Sequence, residues 1–200
     1  SHCLRAQALL FDGKTKEALN QVSAYSLNPT TYSHGENVTL LLSTRALIEA
    51  RQGHFAEALP LARLSVQRQP NNADILLAAA SVYIDAAAAE TASQRLEHLQ
   101  QGQVLVERAA AKSSNNPWLY LERGRLLFLL GKPGEAAASL KQMLSVADAS
   151  QDVIALKSLA HFVASVAPGK EAQSLTELKD SALSRARDLE SVKYERNFSI

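Results

Sequence analysis

Gly53-His54-Phe55-Ala56-Glu57-Ala58 closes one apolar, helix-compatible run and opens another. The same Gly-x-x-x-Glu-Ala signature stands at Gly13–Ala18 and again at Gly131–Ala136. A glycine at a helix end takes the left-handed conformation without a Cβ penalty. An alanine soon after it lets a second helix pack close. The signature therefore describes a helix-turn-helix unit. Its return after about forty residues, and then after about twice that, predicts a stack of helical hairpins. Such stacks bind other proteins far more often than they catalyse.

Composition fits that reading. The 200 residues are 46% hydrophobic and 20% charged, with only 8 Gly and 6 Pro, so a core can be buried. Against 21 Lys and Arg stand 20 Asp and Glu, for a net charge of +1. A nearly neutral chain has no general pull on phosphate backbones or acidic membranes, which argues against nucleic acid as a partner. A single cysteine, Cys3, excludes an intrachain disulfide and a multi-cysteine zinc site, and fits a reducing, cytoplasmic setting. No run approaches about 18 consecutive apolar residues, so membrane insertion is not expected. The Ser1-His2 start without Met reads as that of an excised or tagged fragment.

The pattern predicts an all-α chain of roughly ten helices in five antiparallel pairs, with almost no period-two stretches for strands. The expected pairs are about 2–11 with 14–26, 37–51 with 55–68, 73–88 with 92–112, 117–130 with 133–146, and 151–165 with 170–194. The punctuation lies at Asp12-Gly13, Asn28-Pro29, Ser33-His34-Gly35, Gln52-Gly53, Pro70-Asn71-Asn72, Gly131 and Pro168-Gly169. Asn116-Pro117 reads as an N-cap followed by proline at the first helical position, where a missing N–H costs nothing. In the helix over 55–68, Leu59, Ala62, Leu64 and Val66 give an apolar side, while Arg63, Gln67 and Arg68 face water.

In these features the chain resembles the tetratricopeptide repeat family, whose unit is about 34 residues. Leu42, Ala46, Gly53, Ala58, Ser65 and Pro70 fall on that family's pattern of large and small residues, as do Tyr120, Gly124, Leu127, Gly131, Ala136 and Leu140. Ala6, Leu9, Gly13 and Ala18 match in the first unit, Leu76, Ala80 and Tyr83 in the third, and only Ile154 and Ser158 in the fifth. The resemblance implies one domain over 1–200, a right-handed α-solenoid with repeats near 1–34, 37–72, 73–116, 117–150 and 151–194. The last segment, with Leu175, Leu178, Ala182, Ala186 and Leu189 on one side, is expected to cap the open end.

Departures from the pattern carry information. Glu49 stands where a large apolar residue is usual, and Arg5, Arg45, Arg123 and Lys157 recur at one position, with stems that can lie on apolar surface. The third unit runs about ten residues over the repeat's 34, falling within 86–101, and predicts a projecting hairpin with arms about 7–8 Å longer.

Candidates for chemistry are few. His2, His34, His54, His98 and His161 are scattered, with no pair at metal-ligand spacing, so no metal is expected. No phosphate loop is present; Gly131-Lys132-Pro133-Gly134 is the turn of a well-matched repeat. Carboxylates such as Asp85 and Glu107 have nothing to place them in a cleft. No catalytic residue and no cofactor follows from the sequence, and the chain reads as a non-enzyme.

The resemblance implies that the first helix of each pair lines a concave groove. The residues so mapped are Leu40, Ser43, Leu47, Ala50 and Arg51; Leu77, Ser81, Ile84 and Asp85; Trp118, Leu121, Arg125, Phe128 and Leu129; and Ala155, Leu159, Phe162 and Val163. An apolar lining of this kind suits an amphipathic helix or an extended apolar segment of a partner protein. The Lys and Asn clamp by which some members hold a carboxylate tail is missing: Cys3, Gln7, Ser43 and Leu47 stand there. The expected function is a protein-interaction scaffold within a larger protein or complex. The alternatives are self-association, a groove filled by the chain's own last helix, and the recognition arm of an enzyme outside these residues.

Overall fold

Gly53 and Gly131 both adopt left-handed backbone, at φ 80° and 73°. Each turn closes by the same pair of bonds. His54 N–H reaches the Glu49 carbonyl at 2.9 Å and Gly53 N–H the Ala50 carbonyl at 3.0 Å. At the second turn Lys132 reaches Leu127 at 2.9 Å and Gly131 reaches Phe128 at 3.0 Å. These bonds satisfy carbonyls that a helix end otherwise leaves bare. Lys14 N–H bonds to the Leu9 carbonyl across the same step at 2.8 Å.

The structure, a computed structural model, describes residues 9–10, 14–26, 35–166 and 172–197. Most of the expected helix over 2–11, with Cys3 and Arg5, lies outside them, as do Gly13, Asn28-Pro29, His34 and Pro168-Gly169. Among the described residues every regular element is an α-helix. They are α1 (Thr15–Ser26), α2 (Gly35–Arg51), α3 (Phe55–Arg68), α4 (Ala73–Ala89), α5 (Ala92–Ala110), α6 (Pro117–Leu129), α7 (Pro133–Ala149), α8 (Val153–Val166) and α9 (Ala172–Asn197).

They group into two compact units, Ser1–Ser114 and Asn115–Ile200. In the first unit α2 packs on α3 and α4 on α5, and α4 also touches α2 and α3. Asn72 caps α4: its Oδ1 accepts from Asp74 N–H at 3.0 Å and from Ile75 N–H at 3.3 Å. The buried stripe of α3 is Ala58, Ala62 and Ser65. Leu64, expected on that stripe, is instead 37% exposed, because the packing face is set by the small residues that let α3 approach α2 and α4. The Ser65 hydroxyl is satisfied locally, donating to the Ala62 carbonyl at 2.8 Å.

In the third pair α4 is no longer than α2, each having 17 residues, and the added length falls on α5. α5 has 19 residues where α3 has 14, and α4 has 17 where α6 has 13. Gly102 is the close-approach residue of this pair: a Cβ there would stand 3.2 Å from Ile84 Cγ1 and 3.8 Å from the Ala80 carbonyl. The tip is exposed at Ala88, Ala89 and Thr91. It is tied by His98, which donates from Nδ1 to Glu90 Oε2 at 2.6 Å and whose ring lies 5.7 Å from that of Tyr83.

In the second unit Asn116 caps α6, accepting from Trp118 N–H at 3.0 Å, with Pro117 in the first turn. This is the arrangement expected from the sequence. α6 packs on α7, α7 on α8, and α9 on both α8 and α7. The core joins Leu121, Leu140, Met143, Leu156 and Leu159 to Leu175, Leu178, Ala182 and Ala186 of α9. So α9 completes the last pair from the side of α7. Lys157 Nζ meets Glu190 Oε1 at 2.7 Å, and Arg185 pairs with Asp148. Ile154, matched to an apolar repeat position, is 39% exposed.

Candidate binding faces on the first helices

In the second unit the positions mapped to a groove lie on α6 and α8, which touch directly. Phe128 of α6 and Phe162 of α8 meet edge to face, with centroids 6.2 Å apart and planes at 90°. Both keep accessible surface, as do Trp118 and Leu129. An edge-to-face pair is a favoured aromatic geometry and holds two large side chains in place at little entropic cost to a ligand. Leu121 and Leu159 sit deeper, in the core.

Arg125 maps to the same face, and the structure gives it a partner that spacing alone does not single out. Its Nη1 lies 2.8 Å from Glu122 Oε2, one helical turn back on α6. Both side chains are nearly enclosed, 10% and 6% exposed. Enclosure makes the pair sensitive, since losing one member leaves the other buried.

In the first unit the positions mapped to a groove lie on α2 and α4, which also touch. Leu47 is partly accessible, whereas Leu77 and Ile84 are buried. Ile84 faces α5, against Gly102, so it serves the pairing of α4 with its own second helix. Arg51 Nε of α2 lies 3.4 Å from Asp85 Oδ2 of α4. Ser43 is turned inward and donates to the Leu40 carbonyl at 2.9 Å. Glu49, the departure from the repeat pattern, is met by Arg45 Nε at 3.5 Å and by His54 Nδ1 at 3.0 Å.

Among the described residues, the other candidates lie apart from one another. Asp85 is engaged with Arg51, and Glu107 accepts from Gln103 at 2.9 Å. His54, His98 and His161 do not converge, and among the described residues no three metal-capable side chains form a group. No helix of the described residues is long and apolar enough to cross a membrane.

No protein-family model and no curated protein matches the sequence. In structure the chain is similar to a thermophilic TPR protein of Thermus thermophilus, with a TM-score of 0.70 at 22% identity. That likeness covers 100% of this chain and 98% of the other. It shows the fold, an α-solenoid of tetratricopeptide-type helix pairs, as the glycine and alanine spacing implied.

Proposed function

We propose that the chain is a protein-interaction scaffold that takes an amphipathic helix or an extended apolar segment of a partner against the inner faces of its first helices. The observation that carries this is the accessible Phe128–Phe162 pair across α6 and α8, beside Trp118 and Leu129. Rigid, half-buried aromatics are the side chains on which binding energy concentrates. The fold adds support, since helical-repeat scaffolds recur as protein-binding surfaces. α9 packs on α8 and α7.

The test compares the native chain with a Trp118→Ala, Phe128→Ala double variant in affinity capture from native lysate. The variant should keep its helical circular dichroism and lose partners that the native chain retains. Equal capture by both proteins sinks the proposal.

Self-association is the second reading, and the outward side of α5 favours it. Leu96 and Val104 are 56% and 50% exposed there, two turns apart on one side of the helix. Sedimentation over a concentration series separates the two readings; a strict monomer removes the second.

A further inference from the structure

We propose that α5 joins two copies of this chain, its outward strip packing antiparallel on the same strip of a second copy about a two-fold axis near Gln100. This rests on the self-association reading above and goes further, to the geometry and charge of the contact. It concerns the first unit alone. Leu99, Gly102, Leu105 and Ala109 are buried on one side of α5. On the other, Leu96, Glu97, Gln100, Val104 and Arg108 are exposed.

At 3.6 residues per turn, Leu96 and Val104 lie about 40° to either side of Gln100, each about 6 Å from it along the helix. Glu97 and Arg108 lie about 60° and 80° from Gln100, both on the Val104 flank. A two-fold axis across the helix keeps each flank on its own side and reverses the direction along it. Leu96 then comes level with Val104 of the second copy, and this happens twice. Glu97 comes within about 8 Å along the helix of Arg108 of the second copy, a gap that two long side chains span. Glu107, the other exposed carboxylate of the strip, stands about 20 Å from its own copy, so these like charges do not meet. One strip thus carries both halves of an apolar contact and both halves of an ion pair, arranged about one centre. Self-complementarity of this kind is what an isologous interface requires. A single helix pair falls short of the roughly 1,200 Å² of a stable interface, so the association is weak and shows at high concentration.

The experiment is sedimentation equilibrium of the full 200-residue chain, up to about 1 mM. Glu97→Arg and Arg108→Glu each set like charges across the axis twice, and each is expected to weaken dimerisation at least about tenfold. The double variant reverses the pair and should return to within about threefold of the native chain. Arg108 also donates to the Pro70 carbonyl at 2.8 Å, so Glu97→Arg decides if Arg108→Glu disturbs that turn. Cross-linking gives a second readout, with Cys3→Ser removing the native thiol. Gln100→Cys is expected to yield a disulfide-linked dimer under mild oxidation, whereas Gln94→Cys, about 18 Å from its copy, is not. Dimers that the charge variants do not weaken, or a Gln100 variant that links no better than the Gln94 variant, overturn the α5 geometry and leave self-association standing. A strict monomer at every concentration overturns both.

Discussion

Gly124 of α6 lies so close to Leu140 of α7 that a Cβ on the glycine would stand 2.7 Å from Leu140 Cδ2 and 2.9 Å from its Cγ. Leu140 is fully enclosed in the core and has little room to swing away. The contact sets how near α6 and α7 come, and it is the structural content of a small residue facing a large one in the repeat pattern.

Gly124→Ala is therefore expected to destabilise the protein by about 1–3 kcal/mol, although alanine favours a helix. Leu140→Ala alone should cost about 2–5 kcal/mol. Because the two side chains compete for one space, the double variant should fall short of the summed cost by about 0.5–3 kcal/mol. Urea unfolding of the four proteins measures this. Strict additivity would mean that the helices separate freely to admit a methyl group.

The turn glycines make a cleaner case, since a Cβ added at Gly53 or Gly131 would meet nothing within 4 Å. Only backbone strain opposes alanine there, worth about 1–2 kcal/mol for a left-handed residue. Gly134 also faces open space but sits inside α7 with ordinary helical geometry, so Gly134→Ala should be neutral or stabilising by up to about 1 kcal/mol. Gln151 takes the left-handed conformation at φ 55° without being glycine. Its turn repeats the others, with Asp152 N–H on the Ala147 carbonyl at 2.9 Å. Gln151→Gly is expected to gain up to about 1 kcal/mol in thermal or urea unfolding. A loss on that substitution would show that the glutamine side chain contributes more than its strain costs.

How far the sequence can be read follows from these contacts. Glycine turns, the Asn116 cap and the small residues of α3 act over a few positions, so residue spacing carries them directly. Depth does not lie in spacing. Within each unit a first helix touches its own second helix and the other first helix, α2 with α4 and α6 with α8. One turn can therefore put Ile84 against Gly102 while the mapped groove positions suggest accessibility. Leu159 goes into the core for the same reason. Gly102 itself escapes a reading by repeat position because the extra length of the third pair shifts it out of the count. Glu122 escapes it because a carboxylate one turn from an arginine is an ordinary surface pattern until both are enclosed. The left-handed Gln151 gives no signal, since nothing but glycine or asparagine announces that conformation.

Phe128 and Phe162 belong to different helix pairs, so their contact reports on how α6 meets α8 as well as on the surface they offer. A double-mutant cycle with alanine at each should return a coupling of about 0.5–1.5 kcal/mol, the usual range for an aromatic pair. Chemical denaturation measures it. Zero coupling would indicate that the two rings share a surface without supporting one another, and would weaken their role as a joint anchor.

Two buried carboxylates on first helices allow a sharper comparison. Glu49 is 11% exposed, but its partners Arg45 and His54 are 47% and 56% exposed and return to water easily. Glu122 faces Arg125, which at 10% exposure cannot. Glu49→Gln should cost under about 1 kcal/mol, as for a carboxylate whose partners are solvated. Glu122→Gln should cost about 3 kcal/mol, because a buried cation loses its counter-ion. Glu49→Leu, which supplies the apolar residue usual at that repeat position, is expected to be neutral or stabilising, since well-packed hydrophobic replacements often outperform buried ions. Urea midpoints for the three variants decide the matter. Similar losses for Glu49→Gln and Glu122→Gln would show that enclosure of the cation does not govern the cost.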